Sequence, residues 1–171
     1  PPASIGTARL PADTSLMSVV PQDIAPAYAE LLLEGTEAEG AALFDLDSDV
    51  LIEQIGAAAK AERAESLPET AEIAFSNAVG EGETIVLATN DTGGLVTAYI
   101  IETETVTPIQ DGAAVNASGA VQALSGVEQS TDGIVARYGV QLLFYVPPLG
   151  SDAPVLLLGY TQGLISASEV S

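Results

Sequence analysis

The apolar residues between positions 21 and 34 recur at intervals of three and four. This spacing places them on one face of an α-helix and leaves Glu30 and Glu34 on the polar side. Gly35 follows directly, and glycine is common just after the last residue of a helix. The pattern therefore predicts a helix over residues 21–34 that packs one face against a core.

A second long helix is predicted over residues 48–66, where the apolar positions again follow helical spacing. Asp47 or Ser48 can cap its first turn, because a side-chain oxygen there accepts hydrogen bonds from free backbone N–H groups. Pro68 stops the helix, since proline cannot continue the hydrogen-bond ladder. The apolar residues at 41–44 indicate a short helical turn between the two helices.

Beyond Pro68 apolar and polar positions alternate, which is typical of β-strands with one face on a core. The alternation is clearest in the fifth predicted strand. The sixth is apolar on both faces and is predicted to be central in the sheet. Asn, Asp and Gly residues at 90–94 predict a hairpin turn. The predicted strands span residues 72–77, 84–89, 95–106, 113–117, 133–146 and 154–165.

The order of these elements predicts an α+β fold. N-terminal helices are expected to pack on a curved, mainly antiparallel sheet of about five to six strands. Residues 1–20 are rich in proline and carry few helix signals, so they are predicted to be an extended N-terminal segment. Residues 21–171 have the length of one ordinary domain and are predicted to form a single α+β domain.

Charge limits the partners that this chain can bind. Its 24 acidic and 4 basic residues give a formal net charge of -20, which repels nucleic acid and anionic lipid surfaces. No apolar run is long enough for a membrane-spanning helix, so direct membrane insertion by this domain is not expected. Because 47% of the residues are hydrophobic, the chain should fold. The acids then form a solubilising shell or, alternatively, the surface of a salt-adapted protein.

The chain contains no histidine, cysteine or tryptophan. Their absence removes the commonest general base, the thiol nucleophile and the usual ligands of zinc, haem and iron–sulfur clusters. We therefore expect a protein that is not an enzyme and that carries no cofactor.

Alternating acids at Asp45, Asp47 and Asp49 resemble the first ligands of a calcium-binding loop. However, Val50 stands where such a loop needs glycine, and Gly56 stands where it needs a bidentate glutamate. Acids near the start of a helix are also favoured by the helix dipole. The run is therefore interpreted as a helix cap, and no metal site is predicted.

Glu102 and Glu104 lie two apart on a predicted strand and so share one face. In a closed pocket such a pair could support general acid–base chemistry if one pKa rose. Thr103 and Thr105 beside them fit an exposed strand edge instead. The favoured interpretation is a pair of solvated acids, and no catalytic residue is predicted.

Arg137 is the cation predicted within the sheet, on the face opposite Tyr138 and Phe144. A half-buried arginine can bind a carboxylate ligand bidentately, although pairing with a cross-strand acid is commoner. Tyr99, Tyr138 and Tyr160 could line a cavity between sheet and helices, although aromatic residues on strands usually belong to the core. The candidate ligand-binding residues are therefore Arg137, Tyr99, Tyr138 and Tyr160.

Four runs of this sequence resemble the C-terminal part of actinobacterial membrane-anchored lipoproteins of unknown function. The helix-first order is also similar to the cone-shaped nuclear-transport-factor-2-like fold, in which a curved sheet and its helices enclose a pocket. The acid–histidine pairs used by enzymes of that fold cannot form in a chain without histidine. The runs are IAPAYAELLLEG at 24–35, ALFD at 42–45, IVLATNDTGGLV at 85–96 and QLLFYVPPLGS at 141–151.

The resemblance implies an extracytoplasmic domain, tethered to the outer face of the cytoplasmic membrane or secreted. We therefore expect a non-enzymatic binding or scaffold domain of a cell-envelope lipoprotein that acts through protein–protein interaction. The alternative is a small-ligand-binding pocket protein of the cone-shaped type, with Arg137 and the tyrosines as polar anchors in an apolar cavity.

Overall fold

Helices and strands alternate in blocks along the described part of the chain, residues 6–170 of the computed structural model. Residues 1–5, at the start of the predicted extended segment, and residue 171, at the end of the predicted domain, lie outside the described residues. Within the described part the α-helices are α1 (Ile24–Glu34), α2 (Val50–Ile55), α3 (Ala57–Glu65) and α4 (Gly119–Ser125). The strands are β1 (Arg9–Leu10), β2 (Ala71–Val79), β3 (Val86–Ala88), β4 (Gly94–Pro108), β5 (Val115–Asn116), β6 (Gln129–Ser130), β7 (Ile134–Val146) and β8 (Leu156–Glu169).

Strand β4 is the centre of an antiparallel, six-stranded sheet in the described residues. One side of β4 pairs first with β3 and then with β2, and its other side pairs along its length with β7. Strand β1 extends the sheet beyond β3, and β8 lies outside β7. A separate two-stranded sheet joins β5 and β6. The predicted α+β class with a mainly antiparallel sheet is confirmed.

The helices cover one face of the sheet, which we call the inner face. On β7 the alternation predicted from sequence places Val140 and Phe144 on this face, both fully buried. The Phe144 ring lies 4.9 Å from the ring of Tyr28 on α1, in an edge-to-face arrangement. Phe44 completes the aromatic group, 5.2 Å from Tyr28. The core therefore lies between α1 and the sheet.

The predicted helix over residues 48–66 is two helices. At Gly56 the backbone is extended, with φ -74° and ψ -177°, so α2 ends and α3 begins there. A Cβ atom on Gly56 would stand 2.4 Å from the carbonyl oxygen of Ile52. The break between α2 and α3 therefore requires a residue without a side chain, and glycine meets this requirement. The cap of α2 is Asp49, rather than the predicted Asp47 or Ser48.

Strand β8 is an edge strand, so the prediction of a central position is wrong. The apolar run that suggested it has a different cause. Val155, just before the strand, is buried and bridges to Phe44, while Leu157 packs partly against the core. Leu158 is the extra residue of a β-bulge and is 52% exposed. The apolar residues of this run therefore lie in different environments. The run does not mean that both faces of β8 are buried.

The segment between β4 and β7 contains α4, which the strand pattern did not predict. This helix has seven residues and ends at Gly126 with φ 70°. On α4, Val121 lines a small cleft together with Ile134 and Tyr138 of β7, so the segment lies over the far end of the inner face. Such a short helix gives only a weak periodic signal in the sequence.

The described residues before position 21 contain turns and bends as well as β1, and they pack on the domain. Met17 is 2% exposed and forms a bridge with Pro148. Its side chain occupies the space beside Gly94, where a Cβ atom would lie 2.0 Å from Met17 Cε. The N-terminal segment therefore contributes to the core as well as to the sheet through β1.

Candidate functional site

The second face of the sheet carries no helix within residues 6–170, and we call it the open face. Side chains from β4, β7 and β8 line a shallow concavity of about 510 Å³ there, with one wall formed by the segment before β3. The backbone N–H of Ile85 in that wall donates to Thr97 Oγ1 of β4 at 2.9 Å. The lining includes Glu83, Ile85, Thr97, Tyr99, Gln141, Leu143, Gly159 and Thr161.

Tyr99 lies flat across the open face because two neighbouring glycines leave room for its ring. A Cβ atom on Gly80 would stand 2.2 Å from a ring carbon, and one on Gly139 would stand 2.6 Å from the hydroxyl oxygen. Ile165, the extra residue of a second β-bulge in β8, also lies close to Gly139. The position of the Tyr99 ring on the open face therefore requires glycine at positions 80 and 139, because a side chain at either one would overlap the ring.

The four predicted ligand-binding residues lie on two different faces of the sheet. Arg137 and Tyr99 are on the open face, whereas Tyr138 and Tyr160 point to the inner face. The Tyr160 hydroxyl donates to Gln54 Oε1 of α2 at 2.8 Å. The structure therefore does not bring all four residues into one pocket. Tyr99 and Tyr160 both border the open-face concavity, whereas Tyr138 lines clefts of the inner face.

Arg137 is exposed, on the face opposite Tyr138 as predicted. Its cross-strand neighbours are Thr103 and Ser166, and among residues 6–170 no carboxylate lies within ion-pair distance of it. Within the described residues Arg137 therefore does not form the ion pair with a cross-strand acid that is commoner for such an arginine. The guanidinium thus presents free donors on the open face.

The inner face contains a charge cluster formed by Lys60, Arg63, Glu102 and Glu104, which we call the buried charge cluster although the side chain of Arg63 is 51% exposed. Lys60 of α3 pairs with Glu102 and also donates to the carbonyl oxygen of Ile55. Arg63, one turn later, pairs with Glu104. The side chains of Glu102 and Glu104 are only 4% and 5% exposed, so their interpretation as solvated edge acids is wrong.

The sequence contains one weak signal for this cluster. Two cations three apart on a helix are separated by about 4.5 Å along its axis, and two acids two apart on a strand by about 7 Å. Lys60 and Arg63 can therefore reach Glu102 and Glu104 when α3 lies along β4. Nothing in the local pattern indicates that α3 lies there.

A polar cleft of about 350 Å³ opens beside the buried charge cluster, lined by Arg63, Tyr138, Gln162 and both glutamates. Burial raises the pKa of Glu104, an effect that Arg63 opposes. Burial also raises the pKa of the Tyr138 hydroxyl, with a further contribution from Glu104. Each cation of the cluster is paired with a carboxylate, so the cluster carries no net charge and mainly fixes α3 to the sheet.

The predicted capping role of the acidic run falls on Asp49. Its Oδ1 accepts from the backbone N–H groups of Leu51 at 2.9 Å and Ile52 at 3.3 Å, and its Oδ2 accepts from the Tyr28 hydroxyl at 2.7 Å. Asp45 accepts from Ser48. No group of three potential metal-ligating residues comes together in the part of the chain that the structure describes.

A hairpin loop closes the end of the open face near the start of β4. The hydroxyls of Thr89 and Tyr145 donate to the Asp91 carboxylate and lower its pKa to about 2. The same hydrogen bond raises the pKa of Tyr145. Thr92 in this loop has φ 69°, a left-handed conformation that the turn requires. The loop is thus held by side-chain hydrogen bonds.

These features define an α+β domain whose antiparallel sheet is covered by helices on one face and open on the other. A family model described as a domain of unknown function (DUF8094) matches residues 6–169, so the chain belongs to that family. Comparisons with curated proteins and with solved structures give no significant match. None of the helices in residues 6–170 is long and apolar enough to span a membrane.

Proposed function

We propose that this chain is a non-enzymatic binding or scaffold domain that acts through protein–protein interaction at its open face. The observation that carries the proposal is the open-face concavity, which exposes Ile85, Tyr99 and Leu143 beside the hydroxyls of Thr97 and Thr161. Apolar and aromatic groups with nearby hydrogen-bonding groups are typical of the centre of a protein interface.

The charges of the domain favour a partner with basic groups around an apolar patch. The chain has a formal net charge of -20, and the charged side chain in the lining of the concavity is that of Glu83. Arg137 lies on the same face, opposite Thr103, four residues along β4 from Tyr99. That separation is about 13 Å along the strand. Arg137 would therefore contact a carboxylate of the partner beyond the concavity.

We further propose that the domain belongs to an extracytoplasmic lipoprotein of the cell envelope. The four sequence runs described above support this proposal. The cone-shaped nuclear-transport-factor-2-like architecture is likewise a proposal, supported by helices that cover one face of an antiparallel sheet. Protease accessibility of the full-length protein on intact cells tests the location.

The alternative function is small-ligand binding. The open-face concavity has a volume of about 510 Å³, within the usual range for small-molecule sites. Its lining is predominantly apolar, and Thr97, Gln141 and Thr161 supply a few polar groups. A neutral apolar dye such as Nile red is a direct probe. Saturable binding that Thr97→Trp abolishes would support this alternative.

Two matched variants test the proposed interaction. Leu143→Glu places a carboxylate on the open face, and Leu124→Glu makes the same change at an exposed leucine of α4. Each variant is immobilised as bait and incubated with envelope extract. Partners that bind to the parent protein and to Leu124→Glu should not bind to Leu143→Glu. Binding of the purified partner should then weaken as salt rises, because basic groups steer it.

Hydrogen exchange of the complex locates the contact. Protection is expected in β4 and β7 around Tyr99 and Leu143. A partner that binds Leu143→Glu as tightly as the parent protein, or that protects only residues outside the open face, would contradict the proposal.

A further inference from the structure

Strand β8 presents a long backbone edge with no partner strand. From Leu156 to Glu169 its ladder runs to β7, and within residues 6–170 no backbone hydrogen bond joins its outer side to another element. Thr161, Gln162 and Gly163 are all exposed. Every second residue of such a strand directs its N–H and C=O outward, ready to pair with another strand.

This edge lacks the protection that acidic side chains would provide. Residues 153–168 contain no charged side chain, although the whole chain has 24 acids. Natural edge strands usually carry charges or proline to prevent pairing between copies. Most other surfaces of a protein with a net charge of -20 repel a second copy. The edge of β8 carries none of these acids, so it adds no repulsion of its own.

Helix α4 contacts β8 and limits the open part of the edge. On α4, Val121 lies beside Ile134, Ala136 and Tyr138, whose partners on β8 are at positions 169, 167 and 164. The helix therefore covers the end of β8 from Leu164 onward. Just before the strand, the backbone of Val155 is bonded to Leu43 and Asp45. Between the bulges at Leu158 and Ile165 the strand is regular, and its outer backbone groups bond to no other element of the described residues.

We propose that β8 pairs with β8 of a second copy of this chain, antiparallel and around a two-fold axis at Thr161. A two-fold axis perpendicular to the sheet keeps both open faces on the same side, so opposite residues must share a face. Thr161 then faces Thr161, Gly159 faces Gly163, and Tyr160 faces Gln162 of the second copy.

This register suits two acidic chains. Cross-strand threonine pairs are favourable, and the paired glycines allow close approach of the two backbones. The stretch of β8 that is open for pairing contains no charged residue, so no two acids face each other. A foreign basic strand would gain no charge complementarity from this uncharged edge, which favours self-pairing.

The pairing also extends the open-face concavity. Gly159 and Thr161 of each copy line it at the edge of the sheet. In the dimer, Thr161 and Gly163 of the second copy continue the same surface beyond β8. The two concavities therefore lie side by side on one continuous sheet. This inference stands whether or not the concavity binds a protein partner.

Sedimentation equilibrium of the full chain tests self-association directly. We expect a monomer–dimer equilibrium that shifts toward dimer as sodium chloride rises from about 50 to 500 mM, because salt screens the repulsion between the copies. A chain that stays monomeric at high concentration throughout this range overturns the proposal and leaves the edge to a foreign strand.

Cysteine cross-linking locates the interface, because the chain has no cysteine of its own. Opposite Cα atoms in an antiparallel pair lie about 4.5–5.5 Å apart, within the range of about 4.4–6.8 Å that a disulfide spans. Thr161→Cys should therefore form disulfide-linked dimers on mild oxidation. Ser76→Cys, at an exposed site on the other edge strand β2, should remain monomeric. Cross-linking of both variants to the same extent, or of neither, overturns the proposed register.

Charge substitution gives an independent readout. Thr161→Glu places two carboxylates opposite each other at the axis and should raise the dimer dissociation constant by on the order of tenfold. Ser76→Glu adds the same charge away from the interface and should leave it nearly unchanged. Circular dichroism checks that both variants remain folded. Equal weakening by both variants would show that only total charge matters, and would overturn the proposal.

Discussion

Lys60 and Glu102 form an ion pair in which both side chains are more than nine-tenths buried. Lys60 Nζ also lies 5.6 Å from the centre of the Phe75 ring, so the ammonium has three kinds of partner: a carboxylate, a backbone carbonyl and an aromatic face. Removing two charges from water is costly, and a buried pair often contributes little net stability. Its main effect is to position α3 over the sheet.

Lys60→Met should lower the free energy of unfolding by about 3–5 kcal/mol, because it leaves the Glu102 carboxylate buried without a cation. Urea unfolding measures the change. The double variant Lys60→Met/Glu102→Leu should recover most of this loss, since an apolar pair of similar volume replaces the ions. A double variant as unstable as the single one would show that the pair itself is stabilising.

Phe144→Ala should cost about 3–5 kcal/mol, because it removes contacts with Tyr28 and leaves a cavity in the core. Arg137→Ala, on the same strand but on the open face, should cost roughly 0–1 kcal/mol, since the side chain is exposed. Thermal and urea unfolding give both values. Equal and negligible costs would mean that the faces of β7 are assigned incorrectly.

At the scale of the elements, the start of α2 depends on one carboxylate. Asp49 is 4% exposed, and it joins α2 to α1 by accepting from two backbone N–H groups and from the Tyr28 hydroxyl. Burial raises the pKa of Tyr28 well above its usual range, and the neighbouring Asp49 carboxylate adds to this effect. The cap is therefore also a tertiary contact.

Asp49→Ala should destabilise the fold by about 2–4 kcal/mol, because the α2 cap is lost and the Tyr28 hydroxyl is left buried without an acceptor. Asp47→Ala is the matched control, an exposed acid of the same run, and should change stability by less than about 0.5 kcal/mol. Urea unfolding of the two variants compares them. If Asp47→Ala cost more than Asp49→Ala, the assignment of the cap would be incorrect.

At the scale of the whole molecule, the acidic surface should make stability depend on salt. Between low and moderate salt the melting temperature should rise and then level off, because screening reduces repulsion among the excess acids. Differential scanning calorimetry measures the trend. A fall over this range would show that attractive surface pairs dominate. A continued rise into molar salt would indicate a salt-adapted surface.

Glu104 makes a contribution from the interior to the pH dependence of stability at acidic pH. Because burial raises the pKa of Glu104 in the folded protein, the native state holds that proton more tightly than the unfolded chain. Stability from this group is present below its ordinary pKa of 4.5 and is lost as pH rises through the raised folded value. Glu104→Gln removes this loss, whereas Glu62→Gln on the exposed side of α3 should not. Urea unfolding at several pH values separates the two, and identical profiles would contradict the assignment.

The element pattern was predictable because it depends on local spacing. A strand occurs at each of the six predicted positions, and the helix at residues 21–34 is present as a short 3-10 turn followed by α1. The strands predicted at 84–89 and 113–117 are shorter than expected, the last extends to Glu169, and the two-residue strands β1 and β6 were not predicted. Two features of the helices were not predicted, and each has a physical cause. Gly56 breaks a helix whose apolar periodicity continues across it, and α4 is too short to give a periodic signal.

The amino-acid sequence by itself determined the α+β class, the alternation that places Arg137 and Phe144 on opposite faces, and the acidic charge. Only the tertiary structure decided that Glu102 and Glu104 are buried against α3, that β8 is an edge, and that the predicted tyrosines lie on both faces. Local spacing specifies which side of an element faces the core. It does not specify which element lies opposite, because that depends on how the whole sheet is ordered.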